Sequence, residues 1–191
     1  MRVLVVPEDF RKDQYLLKPI IERLLEGIGA RAQVRICQDP RLGTVWEALK
    51  WERIEAIIHR YRSLYRILLV VDRDCNLHRT ASLAALESKA QALDPPFALV
   101  TTQAIEELET WALAGLELPA DWRFGAIRAD CHPKENWYLE LARRRGLLAG
   151  AAEGRESLGR EAASSAGLRR MKALCPEVAE LEGRLRQWMS G

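Results

Sequence analysis

The run Ile67-Leu68-Leu69-Val70-Val71 ends in Asp72-Arg73-Asp74. A short apolar run closed by polar residues predicts a buried strand. Residues i and i+2 of an extended backbone point to the same side, so Asp72 and Asp74 would leave the strand's carboxyl end together. Carboxylate oxygens are hard donors of the kind Mg²⁺ and Mn²⁺ take beside water and phosphate oxygens. The chemistry this suggests is metal-assisted phosphodiester hydrolysis. The competing reading is a polar loop in which Asp72 caps Asn76 or a nearby helix.

Two further acidic points follow apolar runs. Glu8-Asp9 comes after Val3-Leu4-Val5-Val6. Glu8 would bind metal or act as general base, with Asp9 and Asp13 close enough to assist. Equally, Asp9 or Asp13 would cap the following helix. Glu106-Glu107-Leu108-Glu109 comes after Phe97-Ala98-Leu99-Val100. Acidic residues suit the first turns of a helix for the dipole alone, and Glu106 and Glu109 would share a face there while Glu107 lies nearer the line of Trp111. Convergence of the three acidic points at one sheet edge is what makes a ligand role attractive. Lys134, opening a helix after His132-Pro133, would hold a phosphate or a developing negative charge, or would be a solvated surface lysine. His59 and His78 lack zinc spacing. Arg53, Arg60, Arg62 and Arg66, then Arg143-Arg144-Arg145, then Arg169, Arg170 and Lys172 form basic groups suited to phosphate. Trp46, Trp51, Trp111, Trp122, Trp137 and Trp188 offer stacking surfaces, although core packing is the default for Trp111 and Trp137.

These residues need a scaffold. Residues 2–6, 32–37, 66–71 and 97–101 read as strands. Helical patterns lie between them: 14–27 with Pro19 inside, about 44–61 opened by a Thr44/Glu47 capping box, 79–93, and 104–114. The alternating order predicts an α/β fold, an open, mostly parallel sheet of about four strands flanked by helices. Beyond about 130 only helices are expected, near 135–145, 155–165, 168–174 and 177–189, with 146–154 a loop or poorly ordered link. This gives an α/β domain over 1–130 and a helical C-terminal extension over 131–191 packed on it.

The chain has 191 residues, 48% of them hydrophobic, enough for a real core. A formal charge of +2 permits a nucleic-acid partner without arguing for one. The start reads as a strand rather than a signal peptide, and no apolar stretch is long enough to span a membrane. Cys37, Cys75, Cys131 and Cys175 are scattered, with no Cys-x-x-Cys pair, so free thiols in a reducing cytoplasm are expected. No Walker-type loop is present, against a P-loop ATPase in this chain.

The ordered set of motifs resembles the Toprim superfamily. Within it the chain is similar to a small bacterial Toprim-like family catalogued as a domain of unknown function, related to RloB-like proteins and to the nuclease half of OLD-type systems. The family's glutamate after the first strand falls on Glu8, and its Asp-x-Asp on Asp72 and Asp74. Its Ile-Pro-Glu-Ile-Glu-Ala-Trp-Leu-Leu-Ala-Asp motif falls on Ile105 to Gly115, which carries its acidic positions onto Glu107 and Glu109. A Pro-Lys matches Pro133-Lys134, and a Cys-Pro before a final helix matches Cys175-Pro176. The resemblance implies a Toprim-like sheet and a Mg²⁺- or Mn²⁺-dependent nuclease, a phage-defence or toxin effector cutting DNA or RNA. Glu8, Asp72, Asp74, Glu107 and Glu109 would be its metal residues, and Glu8, Asp72, Asp74 and Lys134 its catalytic ones. Where relatives show Glu-Gly-x-Thr-Glu, this chain has Glu8-Asp9-Phe10-Arg11-Lys12. That departure supports an alternative, a non-catalytic component that binds nucleic acid or a partner ATPase through the helical third. A homodimer is compatible with either reading.

Overall fold

A computed structural model describes residues 1–150 and 152–190. Ala151, within the expected link at 146–154, and Gly191, at the end of the expected extension, lie outside the described residues. Strands β1 (Arg2–Val6), β2 (Gln33–Ile36), β3 (Arg66–Asp72) and β4 (Val100–Ala104) form one sheet of order β2-β1-β3-β4. Every neighbouring pair is parallel. The helices are α1 (Phe10–Gly27), α2 (Val45–Ala48), α3 (Trp51–Tyr61), α4 (Arg79–Gln91), α5 (Leu108–Gly115), α6 (Phe124–Arg128), α7 (Leu139–Arg144), α8 (Arg155–Ala162), α9 (Ser165–Leu174) and α10 (Pro176–Ser190). A π-helical turn at Lys134–Tyr138 leads into α7.

The strands are apolar at nearly every position because both faces are covered. Val3, Val5, Leu68, Val70 and Val100 join α1, α5 and the helices of the last third in one core. Leu4, Val6, Ile67, Leu69 and Val71 alternate to the other face and pack on α2, α3 and α4. The chain steps from β1 to β2 in one direction and returns over β1 to β3 in the other. Its crossover helices lie on opposite faces, as one crossover hand demands. The carboxyl ends of β1 and β3 therefore flank the switch point, where open α/β sheets leave a crevice.

Several boundaries differ from the sequence reading. Strand β4 starts at Val100 rather than 97, and registers Asp72 against Ala104. Its polar residues are satisfied at the sheet edge: Glu87 Oε1 accepts from the Thr101 amide at 2.6 Å and from its hydroxyl at 2.7 Å, and Arg184 donates to the Thr101 carbonyl at 2.6 Å. These bonds replace the missing ladder partner, so an edge strand tolerates Thr-Thr-Gln. The expected helix at 104–114 begins only at Leu108, so Glu106 and Glu107 precede it and the helical-face argument for them fails. The helix expected over 44–61 breaks into α2 and α3. Thr44 Oγ1 does cap Glu47 N–H at 3.3 Å, but the Glu47 carboxylate turns to Arg53, at 2.9 Å, and to Lys50.

The cysteines also correct the sequence reading. Cys75 and Cys131 form a disulfide across 56 residues of chain, with Cα atoms 5.6 Å apart, while Cys37 and Cys175 are free and buried. No local spacing announces such a bond, because the fold alone brings the β3–α4 loop to the loop before the π-turn. Cysteine usage thus no longer argues for a reducing compartment. Among the described residues no helix is long and apolar enough to cross a membrane.

Candidate functional site

The carboxyl edge of the sheet gathers the acidic residues. Glu8, just past β1, accepts the Asp72 amide on Oε1 at 2.7 Å across the switch point. Asp72, the last residue of β3, points toward α5 and accepts the Leu108 amide on Oδ1 at 2.8 Å. It supplies the first amide of that helix with an acceptor, because Glu107, at the cap position, makes no such bond. The capping alternative for Asp72 is therefore real, with α5 as the helix. Asp13, in the first turn of α1, accepts the Asp9 amide at 3.0 Å, and Asp9 in turn caps Arg11. Asp74 is exposed, has a left-handed backbone (φ 51°), and pairs with the buried Arg79 at 3.3 Å.

Burial in the crevice, with like charge nearby, shifts Glu8, Asp13 and Asp72 upward. Burial, with Asp74 and Asp13 nearby, pushes Glu8 to about 8 despite the stabilising Asp72 amide. Burial raises Asp13 to about 7, assisted by the Glu109 charge. Asp72 is raised well above the ordinary range by burial and by Glu8, Glu109, Asp13 and Asp74 together.

The acidic edge continues along the entry to α5. Glu107 accepts the Lys134 amide at 2.7 Å and is pushed to about 7 by burial and by Glu109 and Glu135. Single donor atoms of Glu107, His132 and Glu135 lie within 4.8 Å of one another, the one such trio among the described residues. Two carboxylates and an imidazole can hold a divalent cation, and the nitrogen suits Mn²⁺ better than Mg²⁺. Glu109 is buried in an ion pair with Arg155, which also binds Glu153 at 2.6 Å. Glu106 is buried against Arg73 and accepts the Cys75 amide at 2.5 Å, so it holds the Asp74 loop. The Lys134 ammonium is 3.5 Å from Glu135, and the Glu109 and Glu135 charges raise it above the ordinary lysine range.

The structure thus places Glu8 and Asp72 side by side, with Asp74 on the adjoining loop. It puts Glu107 and Lys134 next to each other on the far side of Asp72, and ties Glu109 to Arg155. Sequence reasoning passed over His132 and Glu135. Their i, i+3 spacing at a helix start, the spacing by which paired ligands share a helix face, was the available signal. The basic groups are largely answered locally: Arg53 by Glu47, Arg60 by Asp39, Arg144 by Glu140, Arg145 by Glu161 and Lys172 by Glu182. Trp111 is buried, and its indole N–H binds Glu177 at 2.9 Å. Trp122 and Trp137 stack edge to face with centroids 5.1 Å apart. No protein-family model matches this chain, and neither a curated protein nor a solved structure matches it.

Proposed function

We propose that the chain is a divalent-cation-dependent phosphodiesterase acting on nucleic acid at the carboxyl edge of its sheet. The observation that carries this reading is the donor trio Glu107, His132 and Glu135, within 4.8 Å of one another at the entry to α5, on the same sheet edge where Glu8 accepts the Asp72 amide. Like charges held together against their own repulsion are what a cation would relieve. The donor chemistry fits Mg²⁺ or Mn²⁺: hard oxygens throughout, with one imidazole that tilts the choice toward Mn²⁺.

Asp72, Asp74, Glu107, His132 and Glu135 are the residues that would hold the ion or ions. A bound cation supplies Lewis acidity toward a phosphate oxygen and a more acidic water. Glu8, which accepts the Asp72 amide, would serve as ligand or general base. Lys134, held in its charged form, meets the negative charge that develops on phosphorus oxygens. The Glu109 and Glu135 charges favour the charged form of Lys134. The role as phage-defence or toxin effector belongs to the same proposal and rests on the Toprim resemblance.

Purified protein is titrated with Mn²⁺ and Mg²⁺ against plasmid, single-stranded DNA and tRNA, beside a D72N/D74N variant. The expected result is cleavage by the parent, stronger in Mn²⁺, and none by the variant. Equal cleavage by the variant, or no metal binding by the parent, would sink the proposal. Metal binding without cleavage would favour the non-catalytic component, with nucleic acid or an ATPase as its partner.

A further inference from the structure

Trp46 is the one exposed tryptophan among the described residues, with 67% of its surface accessible. Its position follows from the short helix that carries it. Val45 and Ala48 are buried against the second core, which pins α2 and turns Trp46 outward. The Arg79 guanidinium lies 5.8 Å from its ring centroid. Arg79 is itself only 3% exposed, is paired with Asp74, and keeps an Nε that has no hydrogen-bond partner. The loop leading to Trp46 is tied to the other acidic point, since the Gly43 amide donates to the Glu8 carbonyl at 2.9 Å. On that loop the exposed Arg41 lies over the Phe10 ring at 5.5 Å, just past Glu8 and Asp9. Two cation–aromatic pairs therefore border the crevice on the Glu8 and Asp74 side.

We infer that Trp46 is a stacking platform for an unpaired base of a single-stranded nucleic acid whose backbone runs past the acidic edge. The inference rests on the nucleic-acid reading of that edge and names its substrate class. An exposed indole resting on a buried guanidinium suits a base, because every base has a π-face and the cation holds the ring in place. Bases in a duplex are already stacked and do not present that face. A protein partner would ask for a contiguous apolar patch, whereas the Trp46 ring lies against the Arg79 guanidinium.

The test is fluorescence anisotropy of labelled oligo(dT), oligo(rU) and a blunt duplex, with Ca²⁺ as the only divalent cation so that binding is read apart from cleavage. W46A is expected to bind both single strands about tenfold more weakly than the parent, within the range for loss of one stacked base. Duplex binding should be unchanged and W46F should bind nearly like the parent. Thermal melting of both variants should match the parent, because the side chain is in solvent. Parent-like single-strand binding by W46A, an equal loss on duplex, failure of W46F to restore affinity, or no single-strand binding by the parent would each overturn the inference. Cleavage in Mn²⁺ is assayed separately. A parent that binds through Trp46 yet never cleaves upholds the platform and overturns the hydrolytic reading. A parent that cleaves, with W46A binding as it does, upholds the hydrolytic reading and overturns the platform.

Discussion

At the scale of single residues, the acidic edge destabilises the fold that carries it. The folded values of Glu8, Asp13 and Glu107, about 8, 7 and 7, stand above ordinary values of 4.5, 3.8 and 4.5. The folded chain therefore holds more protons than the unfolded chain between those limits. Its stabilising contribution is complete below the unfolded values and is lost as pH rises through the folded ones. Denaturant midpoints of the metal-free protein should fall from about pH 5 to about pH 8. Added Mn²⁺ should flatten or reverse that slope, because a cation takes the place of the protons. A midpoint that rises with pH in the absence of metal would contradict the shifts. The same logic separates function from stability at Glu8. E8Q keeps an oxygen for the Asp72 amide but removes a charge, so it should raise stability at pH 8 by about 1 kcal/mol while lowering metal affinity. Asp72 and Asp74 were legible in the sequence because a buried strand must end, and its first polar residues mark the edge. Glu106 was not, since nothing local predicts that Arg73 and the Cys75 amide would claim its carboxylate.

At the scale of elements, the helical third is fixed by close backbone approach. Pro19 lies inside α1 and lacks an amide, so the Tyr15 carbonyl one turn earlier has no helical donor. Gly159 of α8 packs against that carbonyl so closely that a Cβ there would overlap the Tyr15 oxygen. Helix α8 thus rides on the gap that proline leaves in the bonding of α1, and it carries Arg155, which is buried against Glu109. G159A should cost about 1–3 kcal/mol in urea denaturation through forced separation of the two helices. P19A should be close to neutral, since it restores a helical bond while leaving the groove open. Parent-like stability in G159A would show that α8 can shift without cost. Pro19 does not mark a helix start, since α1 runs from Phe10 to Gly27 with the proline inside it; β1 and β3 were foreseeable from their apolar runs. The start of α5 was not. Its first amide is capped by Asp72 from another strand, so the signal that sets the boundary lies 36 residues away. Strand β4 was displaced for a similar reason, because Glu87 and Arg184 satisfy polar residues that the sequence alone marks as loop.

At the scale of the whole molecule, the Cys75–Cys131 bond ties the two arms of the acidic edge. One arm is the loop after β3, with Asp74. The other is the segment into the π-turn, where His132 and Lys134 immediately follow the cystine. Asp130 orders the second arm by accepting the His132 amide at 2.9 Å, the Asn136 amide group at 2.9 Å and the Trp137 indole at 2.8 Å. The Glu107–Lys134 bond fastens it to α5, so non-covalent contacts remain when the cystine is opened. Both cores lie away from this seam, and reduction should leave the sheet folded. A closed loop of this size is worth about 2–4 kcal/mol. Dithiothreitol, or the C75A/C131A variant, should lower the melting temperature by roughly 5–10 °C, given the entropy of unfolding for a chain of this length. Far-ultraviolet circular dichroism at room temperature should be unchanged by the treatment that shifts the melt. Mn²⁺ affinity should fall with the cystine, because His132 loses the covalent half of its anchorage while Glu107 keeps its own. An unchanged melt would show that the bond adds nothing to the fold. A lowered melt with parental Mn²⁺ affinity would show that Asp130 and Glu107 position the trio without it.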